Sequence, residues 1–210
     1  MAALKRSVVY IDGFNLYYGA LKGGPHKWLD LERYFERLRP NDDIQVIRYF
    51  TAAAIGSAGT RQQVYLRALE TLPLVDVVLG KFKNRRVTCR LGACEHSGSR
   101  VFSTREEKRT DVNIAVQILD DAYQDLCDRI IIVSGDSDLI PSINLVKRRF
   151  SQKEIIVYVP ARDATRGAAV EIRAAADKHR LLPLNLLEHA QLPARVPNGT
   201  GGHLEKPVEW

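Results

Sequence analysis

The chain predicts an α/β fold built on a mainly parallel central sheet. Two patterns carry this. Short apolar runs recur, and they are near-continuous rather than alternating, as in strands covered on both faces. Segments with helical spacing lie between them, so strand and helix alternate and right-handed crossovers join parallel strands.

In chain order, the first run is Val8–Ile11, which ends at Asp12-Gly13. Leu31, Tyr34, Phe35 and Leu38 then follow helical spacing. Ile44–Phe50 is the second run. Val64, Leu66, Leu69 and Leu72 repeat the helical spacing more loosely and stop at Pro73. Val75–Leu79 is the third run. After an interruption, Ile114, Ala115, Ile118, Leu119 and Ala122 form a clear helical stripe ahead of the fourth run, Ile130–Val133. Leu139, Ile143, Val146 and Phe150 form another ahead of the fifth, Ile155–Val159. Residues 165–180 are Ala-rich and are expected as a late helix capped by Thr165. The main domain is expected over residues 1–190, with 191–210, rich in Pro and Gly, as a flexible tail.

A chain of 210 residues with 45% hydrophobic and 27% charged residues can bury its own core without staples. Three cysteines, an odd number, argue against a disulfide framework. The apolar stretch near the N-terminus is too short for a signal peptide, and no stretch is long enough to span a bilayer. These features predict a cytoplasmic protein with no membrane partner.

The interruption, residues 81–109, is expected as a basic hairpin or irregular excursion. It holds nine Lys or Arg against three acids, an excess that equals the whole chain's net charge of +6. Such a block is either a solvated surface hairpin or a grip for a polyanion.

Four acids fall where parallel strands end. Asp12 ends the first strand. Asp136 and Asp138 follow the fourth, after Ser134-Gly135. Asp111 opens the helix leading into that strand, which also places it at the carboxyl edge, where open sheets bind ligands. Singly, each acid can cap a helix or shape a turn. Together, four carboxylates on one edge repel each other unless cations neutralise them. The set therefore predicts Mg²⁺ or Mn²⁺ binding and phosphate chemistry. Asn15, just after Asp12, is placed to orient a carboxylate, a metal water or a phosphate oxygen. Ser134 and Ser137 are expected to donate hydrogen bonds to the same phosphate.

The segments Ile-Asp-Gly-Phe-Asn-Leu-Tyr-Tyr (11–18), Glu107-Lys108-Arg109-Thr110-Asp111-Val112 and Ser134-Gly135-Asp136-Ser137-Asp138-Leu139 with Pro141 resemble the three motifs of the NYN domain, in its LabA-like bacterial branch. The resemblance spans about residues 6–185. It implies a PIN-like fold: a three-layer α/β/α sandwich with a sheet of five or six strands and an acidic, metal-dependent ribonuclease site. The family's acidic positions carry over to Asp12, Asp111, Asp136 and Asp138, and its asparagine to Asn15. The middle motif often has Gly where this chain has Arg109 or Thr110. Asp177 matches a late Ala-Asp of the family and is read as structural.

The implied substrate is single-stranded RNA, which enters a cleft more easily than a duplex. Lys83, Arg85, Arg86, Lys108 and Arg109 would grip its backbone. Arg162 and Arg166, after the fifth strand, would add phosphate contacts. Phe14, Tyr17, Tyr18 and Trp28 lie near the first acid, where a ring could stack on a base, although most such rings cover the sheet. Cys89, Cys94 and His96 form Cys-x4-Cys-x-His, ligand types that suit Zn²⁺ but fall one short of a closed four-ligand site. The alternative to an enzyme is a catalytically weak or inactive RNA-binding or protein-binding regulatory module of the same fold. Oligomeric state is not fixed by the sequence, and a homodimer stays open. Replacing Arg85 and Arg86 by Ala should weaken RNA binding and flatten its salt dependence while sparing the metal site. Binding isotherms across a salt series check this, and an unchanged slope would count against a grip by the hairpin.

Overall fold

Strand β1 (Lys5–Asp12) runs through the middle of the molecule, with every residue from Ser7 to Asp12 buried. Its side chains alternate between two apolar layers. Val9 and Ile11 enter one, and Val8 and Tyr10 enter the other. A strand covered on both faces must be apolar throughout, which is why this run carries no alternation in sequence.

The computed structural model describes residues 4–54, 56–92, 95–162 and 169–210. After β1 come a short helix α1 (Gly13–Leu16) continued by a π-helical turn (Tyr17–Leu21), α2 (Leu31–Leu38), β2 (Asp42–Thr51), α3 (Ser57–Leu69) and β3 (Val75–Leu79). A hairpin of β4 (Lys81–Thr88) and β5 (Val101–Lys108) follows, then α4 (Thr110–Tyr123), β6 (Arg129–Val133), a 3-10 turn (Ser137–Leu139) and α5 (Ile140–Arg149). The chain ends with β7 (Glu154–Val159), α6 (Val170–Ala175), β8 (Lys178–Leu181), β9 (Arg195–Pro197) and β10 (His203–Glu205).

The main sheet has six strands in the order β3-β2-β1-β6-β7-β8, and every pairing in it is parallel. The helices α2 and α3 and the chain beyond Leu182 cover one face, while α4, α5 and α6 cover the other. This is the three-layer α/β architecture. The order reverses between β1 and β6, so a crevice opens there at the carboxyl edge.

Charges at the opposite, amino edge are paired. Asp42 accepts hydrogen bonds from Arg39, Arg129 and Ser7. Glu154 is partly buried, which pushes its carboxyl up, but hydrogen bonds from Lys178 and Arg129 outweigh this and hold it at about 2. Within the α4 layer, the buried carboxylate of Asp121 accepts from Tyr10 at 2.7 Å, Arg48 at 2.8 and 2.9 Å and Gln117 at 2.9 Å. Each of these acids is compensated, as burial demands.

Two expectations are corrected. The late helix is short: α6 stops at Ala175, Ala176 is extended, and Lys178–Leu181 joins the sheet as its sixth strand. Asp177 stands at the switch, where its side chain accepts the Ile155 amide at 2.9 Å and pairs with Lys147. The expected cap Thr165 lies outside the described residues. The stretch from 191 onward, expected as a flexible tail, packs onto the domain instead. β9 and β10 form a hairpin that buries Val196 and Leu204 in the α2–α3 layer, and the Trp28 indole donates to the Pro193 carbonyl at 2.8 Å. Among the described residues, no helix is long and apolar enough to cross a membrane.

Gly19 fixes how the π-helical turn meets the sheet. A Cβ there would fall 1.8 Å from the Pro160 carbonyl oxygen, a backbone atom that cannot rotate away. Gly19→Ala should therefore destabilise the fold by about 1–3 kcal/mol, a drop of several degrees in Tm. Thermal unfolding of the variant measures this.

Candidate metal centre

Asp12 is the last residue of β1 and the N-cap of α1. Its carboxylate is 4% exposed and accepts the Asn15 amide N–H at 2.9 Å, the Asn15 side-chain NH2 and the Ser134 hydroxyl at 3.2 Å. Burial nonetheless dominates and raises its pKa above the usual carboxylate range, with the Asp136 charge adding to the rise.

Asp136 follows β6 and caps the 3-10 turn through Asp138 N–H at 2.9 Å. Asp111 lies in the first turn of α4. Its pKa is raised by burial first, then by the charges of Asp136, Asp12 and Asp138. One oxygen from each of Asp12, Asp111 and Asp136 lies within 4.8 Å of the other two. Oxygens sharing one Mg²⁺ or Mn²⁺ stand on the order of 4–5 Å apart at most, given bonds of about 2.0–2.4 Å. The three carboxylates therefore fit a hard divalent ion.

The other predicted residues divide. Asp138 is exposed and stands outside this group, although its charge reaches Asp111. Asn15 is not a free phosphate ligand: its NH2 holds Asp12 and its carbonyl accepts the Gly135 amide at 3.1 Å, so it positions the acid. Ser134 is fully buried, donating to Asp12 and accepting the Asp136 amide at 3.0 Å, and it cannot reach RNA. Ser137 is exposed at the crevice.

Lys83, Arg85 and Arg86 project from β4, and Lys108 from the end of β5. Glu106 pairs with Lys108 at 2.7 Å and with Arg85 at 3.7 Å, which offsets part of the hairpin's charge. Arg109 is exposed and sits at φ 82, the left-handed region that favours glycine. That is the physical reason a glycine suits this motif position. Arg162 is tied to the Ala20 carbonyl at 3.2 and 3.3 Å. Arg166 lies outside the described residues, as does Cys94 of the expected zinc group, whose Cys89 is half-buried and His96 exposed.

Glu107 was not anticipated. β-strand alternation puts it opposite Phe82 and turned inward, where it is half-buried and accepts the Thr110 hydroxyl. Burial raises its pKa, and the charges of Asp12 and Asp111 raise it further. Residues 101–108 carry no apolar–polar alternation in sequence, so only the pairing with Phe82 reveals its face.

Without a divalent ion, Asp12, Asp111 and Glu107 hold protons more tightly folded than unfolded. Their contribution to stability is therefore present at low pH and is lost as pH rises through the ordinary carboxylate range to their raised values. Mn²⁺ should raise Tm at neutral pH by mass action, and this gain should vanish toward about pH 4, where the carboxylates protonate. Asp111→Asn should flatten both responses. Melts across pH with and without Mn²⁺ check this, and a variant keeping the full metal increment would count against the site.

The chain resembles known proteins in sequence and in shape. The 6-hydroxy-3-succinoylpyridine 3-monooxygenase HspA of Pseudomonas putida (strain DSM 28022 / S16) is 30% identical over 224 residues, covering 91% of this chain and 72% of that protein. The crystal structure of VPA0982, a protein of unknown function from Vibrio parahaemolyticus RIMD 2210633, matches with a TM-score of 0.56 at 17% identity, over 87% of this chain and 95% of that one. That likeness shows the fold alone. The profile of the NYN domain matches residues 6–183, a span that runs from β1 through β8 and includes every acid of the centre. The chain belongs to the NYN domain family.

Proposed function

We propose that this NYN domain is a metal-dependent ribonuclease that hydrolyses phosphodiester bonds of single-stranded RNA. The observation that carries the reading is the convergence of Asp12, Asp111 and Asp136 at the strand-order reversal, with ligand oxygens within 4.8 Å of one another. Those three residues would hold Mg²⁺ or Mn²⁺, which when bound supplies positive charge to the scissile phosphate and acidifies the attacking water. Asn15 and Ser134 keep the Asp12 carboxylate aimed at the crevice. The exposed cations of β4 and Lys108 supply the long-range attraction that draws an RNA backbone to an edge that would otherwise repel it.

The test is cleavage of single-stranded RNA with Mn²⁺ or Mg²⁺ against EDTA. Asp12→Asn and Asp136→Asn should each lower the rate about 100-fold or more, beyond the 10–100-fold typical of changes one shell further out. Equal cutting by the variants, or none by the wild type, sinks the reading. RNA binding that persists without cleavage would favour a regulatory binding module.

A second reading draws on the Pseudomonas relative, whose name describes oxygenation of a hydroxypyridine. It makes this chain an oxygenase of a small heteroaromatic ring. Oxygen uptake with 6-hydroxy-3-succinoylpyridine and an electron donor distinguishes it from the first.

A further inference from the structure

A cavity of about 310 Å³ lies on the α3 side of the sheet's carboxyl edge, opposite the helices next to Asp111 and Asp136. Its lining is rich in rings: Phe14, Tyr17, Tyr18, Tyr49, Tyr65 and Trp210. Lys27 and Arg61 also line it, and Lys22 Nζ lies 4.8 Å from the Tyr18 ring centre. The outer wall comes from beyond the NYN match: Trp210 packs on Tyr65 at 5.6 Å and on Trp28 at 6.3 Å, and Glu209 pairs with Arg61 at 2.6 Å.

The cavity and the carboxylates share a wall. Gly13, next to Asp12, lines the cavity, and the Tyr49 ring packs so closely on it that a Cβ would meet Cζ at 2.8 Å. Phe14 in turn meets Phe82 edge-on at 5.8 Å, the residue paired across the hairpin with Glu107. A nucleotide held by its phosphate at Asp12 would thus have its adjoining base at this opening.

We propose that the cavity receives a nucleobase of the RNA, the one next to the phosphate held at Asp12, Asp111 and Asp136. The proposal rests on the ribonuclease reading. The volume is at the low end for small-ligand pockets and suits a single ring system rather than a stacked pair. Ring walls bind any base through its face, and rim cations suit the backbone on either side. Recognition is by stacking, with little discrimination among bases. Gln62, the one amide among the described lining residues, is already used: it accepts the Ala54 N–H at 2.7 Å and donates to Thr51 and the Ala52 carbonyl.

The chain's two tryptophans, Trp28 and Trp210, both stand at or behind this wall, so their fluorescence reports its occupation. The protein, with Ca²⁺ supplied as the ion for the three carboxylates, is titrated with a short oligouridylate and with the same oligomer lacking its bases. The oligouridylate should quench the fluorescence, and the abasic oligomer should not. Tyr18→Ala, an exposed position, and Ala54→Phe, which fills the cavity, should each weaken quenching by about tenfold or more. Equal quenching by both oligomers, no quenching, or unchanged affinity in both variants overturns the pocket. So does quenching by a free hydroxypyridine acid but by neither oligomer. Cleavage with Mn²⁺ is scored separately: a wild type that binds in this way but cuts nothing sinks the nuclease reading and leaves the base pocket standing.

Discussion

A carboxylate buried at the end of the central strand is the constraint on which the site's arrangement depends. Asp12 loses nearly all its water and gains three donors in exchange, two from Asn15 and one from Ser134. Hydrogen bonds to a charged group are worth about 1.5–3 kcal/mol each. They do not fully offset burial, since the carboxyl still prefers its proton more than a free aspartate does. The same donors are connectors. Asn15 also holds the Gly135 amide, and Ser134 also takes the Asp136 amide. Asp12 therefore clamps the start of α1 to the loop after β6, where the strand order reverses.

The two ends of the sheet handle charge in opposite ways. At the amino edge Asp42 and Glu154 are matched by Arg39, Arg129 and Lys178, and both carboxyls are held below their usual range. At the carboxyl edge, no ion pair among the described residues involves Asp12, Asp111 or Asp136, and the pKa values of Asp12 and Asp111 rise. A fold that pairs its acids at one end has the means to pair them at the other. Leaving the second group uncompensated fits a site whose counter-charge arrives as a bound ion.

The β4–β5 hairpin links that group to its surroundings. Lys83, Arg85 and Lys108 share its outward face, while the other face delivers Glu107 toward the acids and Phe82 toward Phe14. It ends at Arg109, whose left-handed backbone turns the chain into α4 and so sets where Asp111 falls. The α3 side of the same edge carries aromatic rings, and its one lining acid, Glu209, is paired with Arg61 among the described residues. The crevice is thus flanked by charge chemistry in one layer and by stacking surface in the other.

Much of this was determined by the sequence alone. Continuous apolar runs marked five of the six sheet strands, because strands covered on both faces cannot alternate. Asp12, Asp111 and Asp136 could be assigned to one edge, because strand ends and the helix starts that follow strands share it. Other features needed the tertiary structure. Residues 178–180 read as helix in an Ala-rich stretch, yet they pair with β7 as a strand, next to Asp177, which accepts the Ile155 amide. The stretch past Gln191 looks too polar to pack, yet Val196, Leu204 and Trp210 find apolar surface on α3 and Trp28. Ser134 reaches Asp12, and the Asn15 carbonyl takes the Gly135 amide, across more than a hundred residues, so no local pattern shows that both side chains are engaged within the protein. Glu107 joined the site, and Asp138 fell outside the group of three, by side-chain direction on a hairpin and a 3-10 turn. Residue type and spacing set the chemistry available at this edge; only the packed chain decided which atoms meet.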